Sequence, residues 1–416
     1  MNVPLLDLGR QHQAIETELR EAFNTVLRHG KFVLGPEVAE FEREIAPFCG
    51  AKHAVSCASG SDALLLALMA FDVGPGDEVI TSPYSFFATA SCIARLGAKA
   101  VFADISLESY NLDPDEVRKK ITPRTKAILP VHLYGQAAEM APWLEEAKRR
   151  GIRVIEDAAQ AIGAHYRGKP VGGFGDVGCF SFFPSKNLGG FGDGGLMTTN
   201  DEDLAGKLRI LRVHGAEPKY YHGLLGINSR LDTIQAALLR AKLPRLEGWA
   251  RARARNAALY AKLLTEAGVA RFAAEGEGEG ADASSEKGGA PFILPAARQS
   301  RHVYNQFILR ARAPAMRDRL RDHLRESGVG TEIYYPVPLH LQECFAGWGY
   351  RAGDLPRAER AAASTLALPI FPELTETEIA YVAQAIAEFC EGRSRARAGS
   401  RRGRSDGRGE SRRPQS

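Results

Sequence analysis

Six short apolar runs recur through the first half of the chain: Ala54-Val-Ser-Cys57, Glu78-Val-Ile-Thr81, Ala100-Val-Phe-Ala103, Ala127-Ile-Leu-Pro-Val131, Val154-Ile-Glu-Asp157 and Val177 to Phe182. Helical stretches alternate with them, at Ala63 to Phe71, Pro114–Lys120 and Pro142–Arg150. Near-continuous apolar strands separated by helices indicate a mostly parallel sheet covered on both faces, so the expected class is α/β. Ahead of the first run, residues 13–29 place Ile15, Leu19, Ala22, Phe23, Val26 and Leu27 at helical spacing, and Gly35-Pro36 separates them from a second helix, Glu37 to Phe48.

The second half changes character. Arg230 to Leu239 and Trp249 to Ala267 read as helices, Tyr304 to Leu309 as a strand, and Pro314–Glu326 and Thr375–Cys390 as amphipathic helices. A large domain over residues 1–248 and a smaller α+β domain over 249–392 are expected. Residues 275–289 are too polar and glycine-rich to pack and read as a mobile surface loop; the Arg-rich segment 393–416 reads as a disordered tail. That tail dominates the charge. Its nine arginines and two acids carry +7 of a formal net charge of +4, which leaves −3 on residues 1–392.

Apolar content of 44% and charged content of 25% are those of an ordinary globular protein. No apolar run reaches the ~18 residues needed to cross a bilayer, and the start lacks a charged, apolar leader pattern, so the cytoplasm is the simplest address. Cys49, Cys57, Cys92, Cys179, Cys344 and Cys390 have no metal-ligand or disulfide spacing and read mainly as buried reduced thiols, so no metal is expected.

In a parallel sheet, ligands gather at the carboxyl ends of the strands. That rule selects Ser59–Asp62, Ser82–Phe87, His132–Gln136 and Asp157–Gln160, each directly after a strand. Hydroxyl and small residues at Ser59 to Asp62, opening a helix, present free N–H groups to an anion, although a plain N-cap explains them as well. Asp157 ends an apolar strand, where a carboxylate needs a cation or donors; a protonated pyridine nitrogen is such a partner, and a helix-capping aspartate is the alternative. Phe86 could cover a ring or sit in the core. Lys186 follows the apolar run from Val177 and precedes a cluster of glycines, a setting that suits a Schiff base with an aldehyde cofactor. Gly190-Phe-Gly-Asp-Gly-Gly195 matches the dinucleotide pattern G-x-G-x-x-G, but Leu196 to Thr199 after it reads as strand where that motif requires helix.

Five segments occur in one order: Ser59-Gly-Ser-Asp-Ala-Leu64, Tyr84-Ser-Phe-Phe-Ala-Thr89, Glu156-Asp-Ala-Ala-Gln160, Phe180-Ser-Phe-Phe-Pro-Ser-Lys-Asn-Leu-Gly189 and Gly226-Ile-Asn-Ser-Arg-Leu-Asp232. Together they resemble the DegT/DnrJ/StrS family of sugar aminotransferases, pyridoxal-phosphate enzymes of the aspartate-aminotransferase fold, from about Pro4 to about Cys390. The resemblance implies that Lys186 carries the cofactor, that Asp157 pairs with the pyridine nitrogen and that Gln160 lies near the ring oxygen. It implies that Phe86 stacks on the ring and that Gly60, Ser61, Asp62 and Ser181 hold the phosphate. It gives Asn228 to the phosphate of a neighbouring subunit, hence a homodimer with shared active sites. An amino donor, L-glutamate in the family, and a nucleotide-linked keto sugar are the implied partners. Ser61 stands where threonine is commoner, Asn305 where many members have histidine, and His12 where many have tyrosine. Lys186 separates the chain from sugar-dehydrating relatives with histidine there.

Val131 to Gln136 and Tyr335 to Gln342 resemble members that aminate C3 rather than C4, with Tyr134, Tyr335 and His340 expected to line the substrate pocket. Two alternatives stand beside this one. One is an aminotransferase acting on a cyclitol or another small ketone. The other is a binding or regulatory protein whose Arg-rich tail contacts nucleic acid, which the lack of tail aromatics and the acidic body disfavour.

Overall fold

The computed structural model describes residues 1–273 and 289–402, with side chains up to residue 392. The expected loop therefore lies outside the described residues, apart from Gly289, as do residues 403–416. The first half delivers α1 (Leu8–Gln13), α2 (Glu16–His29), α3 (Pro36–Phe48), β1 (His53–Cys57), α4 (Gly60–Ala70), β2 (Glu78–Thr81), α5 (Ala88–Arg95), β3 (Lys99–Phe102), α6 (Pro114–Lys120), β4 (Thr125–Leu129), α7 (Ala141–Arg150) and β5 (Arg153–Asp157). A small hairpin follows, β6 (His165–Tyr166) and β7 (Lys169–Pro170), then β8 (Val177–Ser181), β9 (Gly195–Thr199), α8 (Glu202–Leu211) and α9 (Thr233–Lys242).

Seven strands join in the order β1-β9-β8-β5-β4-β2-β3. All pairs are parallel except those of β9, which runs against both β1 and β8. The expected strand at Leu196 to Thr199 is this antiparallel one, which removes the dinucleotide reading of the glycines before it. Both faces of the sheet are apolar. Val79, Ala100, Ala127, Leu129 and Ile155 join one core with the α4 residues Ala63 to Leu68, and Ile80, Ile128, Val154, Phe180 and Leu196 join another with Phe41 and Ile45 of α3. The helix expected at 13–29 is α2 and starts at Glu16, because Ile15 leaves helical geometry at φ −133°, ψ 24° and packs in a small core with Leu19 and Leu238, which separates α2 from α1.

The second half contains α10 (Leu246–Glu266), β10 (Ala270–Phe272), β11 (Phe292–Leu294), β12 (Phe307–Ala311), α11 (Pro314–Glu326), α12 (Pro356–Ser364), β13 (Thr365–Leu368) and α13 (Glu376–Arg402). β10 to β13 form a mixed four-stranded sheet. α10 crosses between the two units: Leu246 and Ala250 belong to the core under the large sheet, Ala257, Tyr260 and Leu264 to the core of the small one. Val3 also lies in the small core, bridged to Val329, although residues 1–248 are expected to form the large unit. α13 runs on from Gly392 to Arg402, into a segment expected to lack structure. Among the described residues no helix is long and apolar enough to cross a membrane. Cys49, Cys57, Cys92 and Cys179 are buried free thiols, whereas Cys344 is exposed.

Candidate active site

The carboxyl ends of β1, β2, β4, β5 and β8 converge on one region. Asp157, the last residue of β5, is 4% exposed. Its Oδ2 accepts from the Thr89 hydroxyl (2.8 Å) in the first turn of α5, and its Oδ1 from the Ala159 N–H (3.2 Å). Ser85 shares its hydroxyl with Thr89 at 2.9 Å. Burial raises the Asp157 carboxyl above its ordinary range, while Thr89, the Ala159 N–H and the nearby Lys186 amine pull it down. No helix starts at Asp157, so capping does not account for it.

Lys186 lies five residues past the end of β8, held at its base by the bond from its own N–H to the Phe183 carbonyl (2.8 Å). The side chain is half-buried. Burial lowers its amine to about 8, against the opposing pull of Asp157. Each group thus feels the other's charge, and the two lie in one site.

The start of α4 forms the opposite wall. Ser59 caps it by accepting from the Asp62 N–H (3.0 Å), which leaves the N–H groups of Gly60 and Ser61 at the helix tip without helical partners. Gly60 lies against Ser181 so closely that a Cβ there would come 2.6 Å from the Ser181 Cβ. The Asp62 carboxylate accepts from Ser229 (2.8 Å), whose oxygen in turn accepts from the Ala58 N–H (3.1 Å). Asp62 thereby ties the segment before α9 to the helix tip and leaves the N–H and hydroxyl groups of Gly60, Ser61 and Ser181 to meet an anion.

Gln160 closes another side. Its Oε1 accepts from the Tyr134 N–H (2.7 Å) and its Nε2 donates to the Tyr335 hydroxyl (2.9 Å). Phe86 is 55% exposed, which excludes a core role, and its ring lies 6.1 Å from that of Tyr335. Asn228 is exposed, at the end of a segment bridged to Val213 that also carries the exposed Tyr220, Tyr221 and Leu225.

The expected substrate residues separate. Tyr335 reaches the site. Tyr134 does not line it: the side chain is buried, and its hydroxyl donates to the Tyr334 carbonyl and lies 2.9 Å from the Tyr84 hydroxyl, from which it can accept. His340 is buried too, bonded through Nε2 to Glu359 (3.1 Å) and flanked by Phe102 and Tyr350. The Tyr134 hydroxyl and His340 Nε2 are thus engaged by protein partners, and both side chains sit in the packing around the site.

Beneath the site, Glu156 is fully buried and accepts from His132 Nε2 (3.0 Å) and the N–H groups of Gly172, Phe174 and Gly175 (2.9, 2.8 and 2.8 Å). The Ala138 N–H donates to His132 Nδ1 (3.0 Å), so the imidazole carries its hydrogen on Nε2 and is neutral. Burial would raise the Glu156 carboxyl, but these donors outweigh it and hold it below the ordinary range. Thr89 and Ser229 lie in two of the five family-like segments and His132 opens one of the strand-end stretches, but nothing in the sequence gives any of the three its supporting role.

A buried carboxylate, a desolvated amine within its field and free N–H groups at a helix tip are the features that chemistry on an aldehyde cofactor requires. The chain matches the model of the DegT/DnrJ/EryC1/StrS aminotransferase family over residues 13–387, and it belongs to that family of pyridoxal-phosphate-dependent aminotransferases. It is similar to the pleiotropic regulatory protein of Geobacillus stearothermophilus, 49% identical over 390 residues covering 94% of this chain and 99% of that one. It is also similar to the UDP-N-acetyl-3-dehydro-alpha-D-glucosamine 3-aminotransferase of Acidithiobacillus ferrooxidans, 42% identical over 92% of this chain and 97% of the relative. The crystal structure of DesV from S. venezuelae superposes with a TM-score of 0.85 at 41% identity, over 94% of this chain and 99% of that one.

Proposed function

We propose that the protein transfers an amino group from an amino acid, L-glutamate by family resemblance, to a keto group of a nucleotide-linked sugar, with C3 favoured over C4. The observation that carries this reading is the buried Asp157 at the carboxyl end of β5, held by the Thr89 hydroxyl and the Ala159 N–H, with the Lys186 amine after β8 near enough to feel its charge. The residues fit pyridoxal phosphate: Gly60, Ser61 and Ser181 around its phosphate with Asp62 bracing the cradle, Asp157 at its pyridine nitrogen, Gln160 near its ring oxygen, and Phe86 across its face. When bound, the cofactor supplies an electron sink conjugated to the substrate's amino carbon.

The chain's own residues do the rest. Asp157, buried and fed by Thr89, holds a negative charge where a ring N–H⁺ needs one. Lys186, with its amine drawn down to about 8, is neutral often enough near neutral pH to accept a proton and return it on the substrate carbon. Tyr335, fixed by Gln160, offers a hydroxyl at the pocket edge. A second subunit completes the site through Asn228, and the exposed apolar hairpin that carries it is suited to such a contact. The C3 preference is supported by the name of the Acidithiobacillus relative, a 3-aminotransferase. A cytoplasmic enzyme suits these substrates.

The name of the Geobacillus relative raises a regulatory reading, which no residue of this site needs. Purified protein loaded with cofactor and given L-glutamate and a 3-keto nucleotide sugar is expected to yield 2-oxoglutarate and an amino sugar. Lys186→Ala is expected to lose both the visible cofactor band and turnover. Unchanged turnover in that variant would remove the reading.

A further inference from the structure

The loop after Lys186 is gripped from outside the site by one helix. α9 presents Gln235 and Lys242 seven residues apart, two turns along one face. The Phe191 N–H donates to Gln235 Oε1 (2.8 Å), and the Lys242 ammonium donates to the Gly189 carbonyl (2.8 Å). Lys242 is only 1% exposed, and its ammonium is not bare: a second bond goes to His12 Nε2 (2.9 Å), and the charge lies 4.7 Å from the Phe191 ring centroid. His12 packs on Phe191 at 4.7 Å, so α1, α9 and the loop meet around one buried charge.

The same peptide is held from its other side by the Gly190 N–H, which donates to the Phe182 carbonyl (2.7 Å), and Asn187 donates to the Val303 carbonyl (3.1 Å). A cavity of about 600 Å³ opens against His12 and Phe191, lined also by Phe23, Asn24 and Leu238. At Gly189 a Cβ would come 2.2 Å from the Pro184 carbonyl, so the chain folds back on itself across Lys186 with no slack. A displacement of Gly189 therefore moves the short turn that carries Lys186. Methionine would fill the volume of Lys242 without the cost of burying an ammonium, and would make none of these directional contacts.

We propose that Lys242 is a positioning residue for Lys186: by holding the Gly189 carbonyl, with His12 as its brace, it sets where the reactive amine stands. This rests on the assignment of Lys186 as the cofactor-bearing lysine. The ammonium lies at the last residue of α9, where the helix dipole favours a cation. Burial brings it to about 8 and leaves it charged at neutral pH, while burial and then Lys242 bring His12 down to about 4, so the imidazole accepts the bond in its neutral form.

The test is Lys242→Met in the full-length, cofactor-loaded protein. The pH titration of the visible cofactor band is expected to shift, and the single-turnover rate with L-glutamate to fall about tenfold to a hundredfold, as small misplacements of a reacting group do. KM for the keto sugar and cofactor content should stay as in the wild type. Lys242→Gln, which keeps a donor for Gly189, should recover part of the rate. A Lys242→Met protein with wild-type titration and wild-type rate overturns the proposal. Should that variant fail to fold, His12→Phe decides in the same way: a displaced titration supports the brace, an unmoved one overturns it. Lys186→Ala is the separate control, since a band that persists there overturns the assignment of Lys186 itself and leaves Lys242 nothing to position.

Discussion

Asp157 shows what a single buried charge demands. It sits at the end of an apolar strand with one hydroxyl and one N–H as donors, and it needs a cation to be worth ionising there. Thr89→Val removes the hydroxyl and should lower kcat about tenfold, the loss of one hydrogen bond to a charged group. Asp157→Asn, which cannot carry the charge, should cost about 10²- to 10³-fold. Steady-state rates at saturating cofactor check both, and a Thr89→Val enzyme at full speed would disconnect the two residues. Lys186 has its own signature. Because burial lowers its amine from 10.5 to about 8, the neutral, nucleophilic form grows as pH rises through 8. Reloading of cofactor-free protein with pyridoxal phosphate should therefore speed up from pH 6.5 to about 8.5 and then level off. Stopped-flow absorbance measures it; a rate still climbing at pH 10 would mean an ordinary exposed lysine.

At the scale of elements, the site is held from below by the strand end of β5 and the turns after β7. Glu156 gathers His132 and three backbone N–H groups, and through them fixes the segment that leads to Asp157 on one side and β8 on the other. Its folded pKa is depressed, so its contribution to stability is present above the unfolded carboxylate value near 4.3 and is lost as pH falls through the lower folded value. Glu156→Gln puts an NH₂ among donors and should destabilise by about 3 kcal/mol. The urea midpoint at pH 7 reads this, with the difference from wild type shrinking below pH 4. An unshifted midpoint would make the network dispensable. α9 has a comparable office on the other side, with Ser229 before it tied to Asp62 and Lys242 at its end tied to Gly189.

At the scale of the whole molecule, several large apolar side chains among the described residues are exposed in one short segment. Leu225 is 93% exposed, with Tyr220 and Tyr221 beside it on the hairpin that ends at Asn228. Contiguous exposed patches of this kind mark association sites. A homodimer is the expected state by sedimentation, and Leu225→Asp with Tyr221→Asp should shift it toward monomer and lower turnover with it, since the role proposed for Asn228 is in the neighbouring subunit's site. A monomeric double variant with full activity would show that each subunit is self-sufficient.

Much of the architecture was legible from local pattern. Apolar strands of four or five residues announce a covered parallel sheet because a strand buried on both faces tolerates no polar alternation, and the motifs at the strand ends followed from that sheet's direction. Asp157, Gln160 and Gly60 follow from that rule, Lys186 from the apolar run and glycines around it, and the role of Ser181 from the family resemblance alone; the fold brings all five to one end of the sheet. Other features belonged to contacts between distant segments. Nothing local says that Tyr134 turns its hydroxyl to Tyr84, that His340 spends itself on Glu359, or that Ile15 leaves helical geometry to pack with Leu238. Nor does a lysine at the end of an amphipathic helix announce that it will be buried against a glycine loop 53 residues earlier. The chain's alphabet determined the layers and the chemistry at their edges, since periodicity and residue type act over a few neighbours. Only the tertiary structure decided which polar side chains face the pocket and which hold up its walls, because hydrogen bonds are completed by whichever partners the packed fold brings within 3 Å or so.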